Sequence, residues 1–166
     1  MSSLSRAQRV RRLANLVNLS TPLGLLIATA GRARRRPGPG GLTLAEGYTI
    51  PFPPAGAFTV GNVVISPQRF DELIGRNPTV MEHEDVHAWQ YVWCGGLPFL
   101  PLYALAAGWS WLRTGDVASG NVFERTAGLE RGGYREAPVS NAGFRTLAER
   151  FQTLTVNPRR LAERSR

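Results

Sequence analysis

The chain holds two histidines, and they stand four residues apart in His83-Glu84-Asp85-Val86-His87. On a helix, positions i and i+4 lie one above the other on one face, so both imidazoles can reach a single metal ion with Glu84 one step away. Local signals frame that helix. Thr79 followed three residues later by Glu82 has the pattern of a capping box, and Gly95-Gly96 supplies a stop, so the spacing predicts a helix over about 80–93. Val86, Trp89 and Trp93 form its apolar side and are expected to anchor it in the core.

A catalytic zinc takes three protein ligands and keeps a fourth position open. With no third histidine, the remaining ligand must be a carboxylate, Cys94 or a group from another chain. Asp116, Glu124, Glu130 and Glu136 all lie downstream. Glu124 is preferred, because a helix expected from Ser119 or Asn121 through Leu129 carries it, with Phe123 available to pack that helix on the core. Cys94 lies two turns beyond His87, too far to share a metal with His83, and reads as a buried, inert thiol. As the single cysteine, it also excludes an intramolecular disulfide framework.

The rest of the chain reads as one compact domain with extensions. Phe58-Thr59-Val60 and Val63-Val64-Ile65 flank Gly61-Asn62, the pattern of a tight hairpin. Lying just upstream of the histidine helix, this hairpin offers an edge strand able to pair with an extended peptide. Residues 42–50 suggest a short strand and Phe70 to Ile74 a helical turn. Residues 95–112 carry no formal charge, but Pro98 and Pro101 shorten the usable helix to about 11 residues against the roughly 20 needed to span a bilayer. A buried or interfacial helix is therefore expected. Phe144, Leu147, Phe151 and Leu161 give the tail, 138–166, a helical pattern.

Charge is distributed unevenly. Arg6, Arg9, Arg11, Arg12, Arg32, Arg34, Arg35 and Arg36 precede the first acidic residue, Glu46, and account for the whole net charge of +8. Residues 1–41 thus read as a basic arm. Leu13, Leu16, Val17 and Leu19 suggest an amphipathic helix, and Pro37-Gly38-Pro39-Gly40-Gly41 a linker without regular structure. Such an arm suggests an anionic membrane surface as partner ahead of nucleic acid. Asn15, Asn18 and Pro22 break the apolar region a signal peptide would need, so the expected location is cytoplasmic, peripheral on the inner face of the membrane.

His83-Glu84-x-x-His87 together with a glutamate on a following helix, Glu124, resembles the gluzincin group of zinc metallopeptidases, and the extension to Gln90 is similar to small bacterial zincin-like domains. The resemblance covers roughly residues 57–130. It implies a mainly helical α+β fold: a minimal zincin-like core, residues 42–137, with a small hairpin or sheet on the histidine helix and a second, carboxylate-bearing helix. It further implies Zn2+ held by His83, His87 and Glu124, with Glu84 as general base for a metal-activated water attacking a peptide or protein substrate. The transition-state stabiliser would be Tyr134, Tyr103 or an arginine such as Arg125. The alternative is a non-catalytic, metal-stabilised domain that binds a protein or an anionic membrane.

Overall fold

The β-branched run Val63-Val64-Ile65 becomes the centre of the molecule. In the computed structural model, which describes residues 4–156, it forms β4 (Val63–Ser66), every residue of which is buried. Four strands make one sheet in the order β1-β2-β4-β3, with β1 at Arg34–Pro37, β2 at Thr43–Glu46 and β3 at Phe58–Val60. β2 runs parallel to β4, and the other two pairings are antiparallel. The Gly61-Asn62 hairpin forms as expected, pairing Phe58 with Ile65 and Val60 with Val63.

Because side chains alternate across a strand, the sheet feeds two cores. Val64 and Leu44 face one side, where they meet Leu42, just before β2, and Phe70, Leu73, Val80 and Ala88 from helices α3 (Phe70–Arg76) and α4 (Val80–Trp93). Val63, Ile65 and Ala45 face the other, against Ala28 of helix α2 (Ser20–Ala30) and Tyr48. Small residues at Ser20, Gly24 and Ala28 form the buried stripe of α2. A Cβ on Gly24 would come within 2.4 Å of the Val60 carbonyl oxygen and 3.0 Å of the Val63 side chain, so the helix can lie this close only on glycine. Helices α5 (Phe99–Thr114), α6 (Val122–Ala127) and α7 (Ala142–Val156) complete a mainly helical α+β fold. α4 packs against β3, α6 against α4, and α7 along α5.

The amino-terminal segment departs from the expected arm and linker. Residues 6–17 form helix α1 (Arg6–Val17), capped by Ser5 and Gln8 in a reciprocal capping box. The predicted linker holds β1, paired with β2 from Arg34↔Glu46 to Pro37↔Thr43, followed by a 3-10 turn at Pro39–Gly41. Prolines and glycines here end a strand and form a turn rather than prevent structure. α1 is fastened through polar groups. The fully buried Arg11 guanidinium donates to Asp85 of α4 and to the Gly40 carbonyl at 2.7 Å. Asn15 Nδ2 donates to the Ala88 carbonyl at 2.8 Å and to Asn62 Oδ1 at 3.2 Å.

Several local expectations also change. The Thr79–Glu82 capping box does not form, because the Thr79 hydroxyl bonds Asn77 Oδ1 instead. Trp93 is 67% exposed and stacks on a half-buried Trp89, while the buried face of α4 is Val80, His83, Glu84, His87, Ala88, Gln90 and Tyr91. The two histidines and Glu84, not the tryptophans, face the core. Pro101 falls in the first turn of α5, where its missing N–H costs nothing. The helix therefore begins at Phe99, and it buries Phe99 and Ser110 while leaving Leu102, Leu105 and Trp109 exposed. α6 ends at Ala127, short of the expected Leu129. α7 accounts for Phe144, Leu147 and Phe151 of the helical tail, and Leu161 lies outside the described residues. No single described helix is long and apolar enough to cross a membrane.

Removing Asp85 leaves the Arg11 charge buried and unpaired. Asp85→Ala is expected to lower unfolding free energy by about 3 kcal/mol in urea denaturation, against near-zero change for the exposed Glu72→Ala.

Candidate metal centre

α4 brings His83 and His87 to one face, and α6 delivers Glu124 opposite them. The short α6 is positioned by Asn121, a fully buried N-cap whose side chain accepts from Phe123 N–H at 3.0 Å. Three residues beyond the cap, Glu124 turns inward. His83, Glu124 and His87 are 2%, 2% and 7% exposed, and their ligand atoms all lie within 4.8 Å of one another. The Nε2 atoms of the histidines are 3.0 Å apart, and the carboxylate oxygens of Glu124 lie 3.2 Å from His83 Nε2 and 3.6 Å from His87 Nε2.

Hydrogen bonding fixes which nitrogen of each ring is free. His83 Nδ1 faces the Gly128 carbonyl at 3.0 Å, and a carbonyl only accepts, so Nδ1 carries the proton. Gln90 Nε2 donates to the Phe123 carbonyl and to Thr126 Oγ1, both at 2.9 Å, which turns Gln90 Oε1 toward His87 Nδ1 at 2.7 Å. His87 therefore also donates through Nδ1. Neutral, both rings aim an Nε2 lone pair into the same volume, and the buried Oε2 of Glu124 has no hydrogen-bond donor. Three acceptors meeting in this way form a group that could hold a metal ion. In a tetrahedral site with bonds of about 2.0–2.1 Å, neighbouring ligand atoms are about 3.3 Å apart, which the three separations bracket. The residues present fit a bound metal ion.

Without the ion, a proton takes part of its place. Burial alone would lower His87, but the Glu124 hydrogen bond and the Glu84 and Glu124 charges outweigh it and raise its pKa above 6.5. Burial alone would raise Glu124, but His83, His87 and Tyr103 together hold its carboxyl well below the usual range. The Tyr103 hydroxyl donates to Glu124 Oε1, and burial, with the Glu124 charge beside it, pushes that phenol far up.

Glu84 is 4% exposed and accepts a 2.7 Å hydrogen bond from Thr59 Oγ1 of the edge strand β3. Tyr134 lies over His83 with ring centroids 5.9 Å apart, and burial raises its hydroxyl well above the usual phenol value. Gly132 also touches the His83 ring, where a Cβ would come within 2.6 Å of Cε1. The other candidates are engaged elsewhere. Asp116 caps the Ala118–Ser119 turn, Glu136 pairs with Arg125, and Glu130 is exposed. Cys94 is half-buried at the end of α4, outside the ligand group. Sequence reasoning did not assign roles to Thr59, the Gly128 carbonyl or Gln90. Of these only Gln90 left a signal, its position three residues after His87 on the same helix.

Comparisons with protein-family models, curated proteins and solved structures return no match.

Two outcomes follow from this geometry. Chelator competition should show metal affinity falling at least tenfold in Glu124→Ala, and about 10–100-fold in Gln90→Leu, which removes the partner of His87 Nδ1 together with the two hydrogen bonds from Gln90 to α6. Raising the folded-state pKa of His87 stabilises the metal-free chain below the unfolded value of about 6.5, and that contribution is lost as pH rises through the folded value. Thermal midpoints should accordingly fall with rising pH across this window in the metal-free protein and hold in the metal-loaded one, while metal affinity weakens below it as protons compete for His87.

Proposed function

We propose that the chain is a zinc-dependent metallopeptidase or amide hydrolase of gluzincin type. The observation that carries this reading is the meeting of His83, His87 and Glu124 in one buried group on a helix that also presents Glu84. Two imidazoles and one carboxylate are a donor set used by catalytic zinc. When bound, zinc polarises a carbonyl and brings the pKa of a coordinated water toward neutrality.

The chain's own groups supply the rest. Glu84 accepts a proton from the attacking water and returns it to the leaving amine, with its carboxylate held by Thr59. Gln90 and the Gly128 carbonyl keep both ligand rings in the Nδ1–H tautomer. Of the three candidate oxyanion donors, Tyr103 is committed to Glu124, and Arg125 to Glu136 and the Ser119 carbonyl. Tyr134 is the one we assign, protonated and beside His83. β3, at the sheet edge and bonded to Glu84, is suited to pair with an extended substrate.

A second reading, a non-catalytic metal-stabilised domain, is favoured by the near-complete burial of all three ligands. Incubating the zinc-loaded chain with a quenched fluorogenic peptide library separates the two. Glu84→Gln should keep its zinc and lose about 10²–10⁴-fold in turnover. Absent turnover in the parent chain, with unfolding on chelation, would establish the second reading instead.

A further inference from the structure

α1 is built inside out. Its buried residues are Arg11 and Asn15, while Val10, Leu13, Leu16 and Val17 are 53%, 63%, 52% and 72% exposed. At 100° per residue, positions 6, 9, 10, 13, 16 and 17 share one face, opposite 11 and 15. The outward stripe thus runs from Arg6 and Arg9 at one end to Leu16 and Val17 at the other. Burying those four aliphatic side chains against the body would be the ordinary way to stabilise such a helix. Arg11 and Asn15 occupy that side instead, fastened to Asp85, Gly40, Ala88 and Asn62.

The apolar end of the stripe continues onto other elements. Asn18 follows α1, and Gly96, between α4 and α5, lies against it so closely that a Cβ there would be 2.7 Å from Asn18 Cβ. Leu19, Trp93 and Leu97 flank this junction and are 58%, 67% and 37% exposed. The basic end continues too. Arg6, Arg9 and Arg12 are exposed, and no ion pair engages them among the described residues. Beside them a groove of about 690 Å³ between α1 and the β1–β2 end is lined by Arg12 and Arg35. α1 carries no acidic residue to balance them.

We propose that this face docks on an anionic lipid bilayer, with Val17, Leu19, Trp93 and Leu97 entering the interface and Arg6, Arg9 and Arg12 at the level of the phosphates. Exposed aliphatics beside unpaired arginines, with a tryptophan at the rim, match the composition of interfacial helices. A second copy of the chain is disfavoured as occupant, since in a self-pairing of this face Arg6 and Arg9 would meet no acidic residue of the facing α1. Nucleic acid would engage the arginines but leave the leucine and valine side chains without a role. The proposal does not depend on the metal centre's chemistry. It does have a consequence for it, because Arg11 on the opposite face of α1 holds Asp85, between the two ligand histidines.

The test is sedimentation of the full chain with phosphatidylcholine vesicles, with and without about 30% phosphatidylglycerol, and filter binding to duplex DNA at the same salt. Binding is expected to the anionic vesicles and not to the neutral ones. It should fall at least about tenfold in Leu13→Asp/Val17→Asp and in Arg6→Gln/Arg9→Gln/Arg12→Gln. All these positions are exposed, and metal content together with far-ultraviolet circular dichroism verifies that each variant is folded. Vesicle binding indifferent to Leu13→Asp/Val17→Asp, no vesicle binding, or DNA binding in its place would overturn the proposal.

Discussion

Three lone pairs aimed at one buried point repel one another unless a positive charge lies between them. His83 Nε2, His87 Nε2 and Glu124 Oε2 are in that position when both rings are neutral. The Gly128 carbonyl and Gln90 Oε1 take the Nδ1 protons, so the Nε2 atoms have none to share when the rings are neutral. Removing charge from water at 2–7% exposure is costly, and a metal ion held by these three groups would offset that cost while linking α4 to α6.

The same economy of polar contacts organises the elements around the centre. Gln90 orients the His87 ring and clamps α6 at once, since its amide oxygen serves His87 while the nitrogen reaches Phe123 and Thr126 of α6. Thr59 ties the hairpin to Glu84, and Arg11 ties α1 to Asp85. Four of the five residues from His83 to His87 thereby contact different parts of the chain. The sheet gives these contacts a rigid base, because β4 is buried on both faces and β3 is held at its edge.

What was legible in the sequence was whatever depends on short-range pattern. The span of α4, the Gly61-Asn62 hairpin and the convergence of Glu124 with the histidines follow from periodicity, turn chemistry and the lack of a third histidine. The errors arose where tertiary contacts override local preference. Thr79 and Glu82 have the letters of a capping box, but Asn77 competes successfully for the hydroxyl. Val86, Trp89 and Trp93 read as core anchors because they make the apolar side of α4, yet the face holding His83, Glu84 and His87 points inward and the tryptophans sit beside it. Residues 1–41 read as a basic arm because eight arginines precede the first acidic residue, Glu46. Nothing local reveals that Arg11 finds Asp85, 74 positions away, or that a proline- and glycine-rich segment completes a sheet.

The central claim is that one metal ion binds through two imidazoles and a carboxylate. X-ray absorption at the metal edge, with elemental analysis of the purified chain, tests it most directly. The account predicts one ion per chain, two imidazole nitrogens, oxygen in the remaining positions and no sulfur. A sulfur ligand from Cys94, or a chain that stays metal-free when offered zinc, would contradict it.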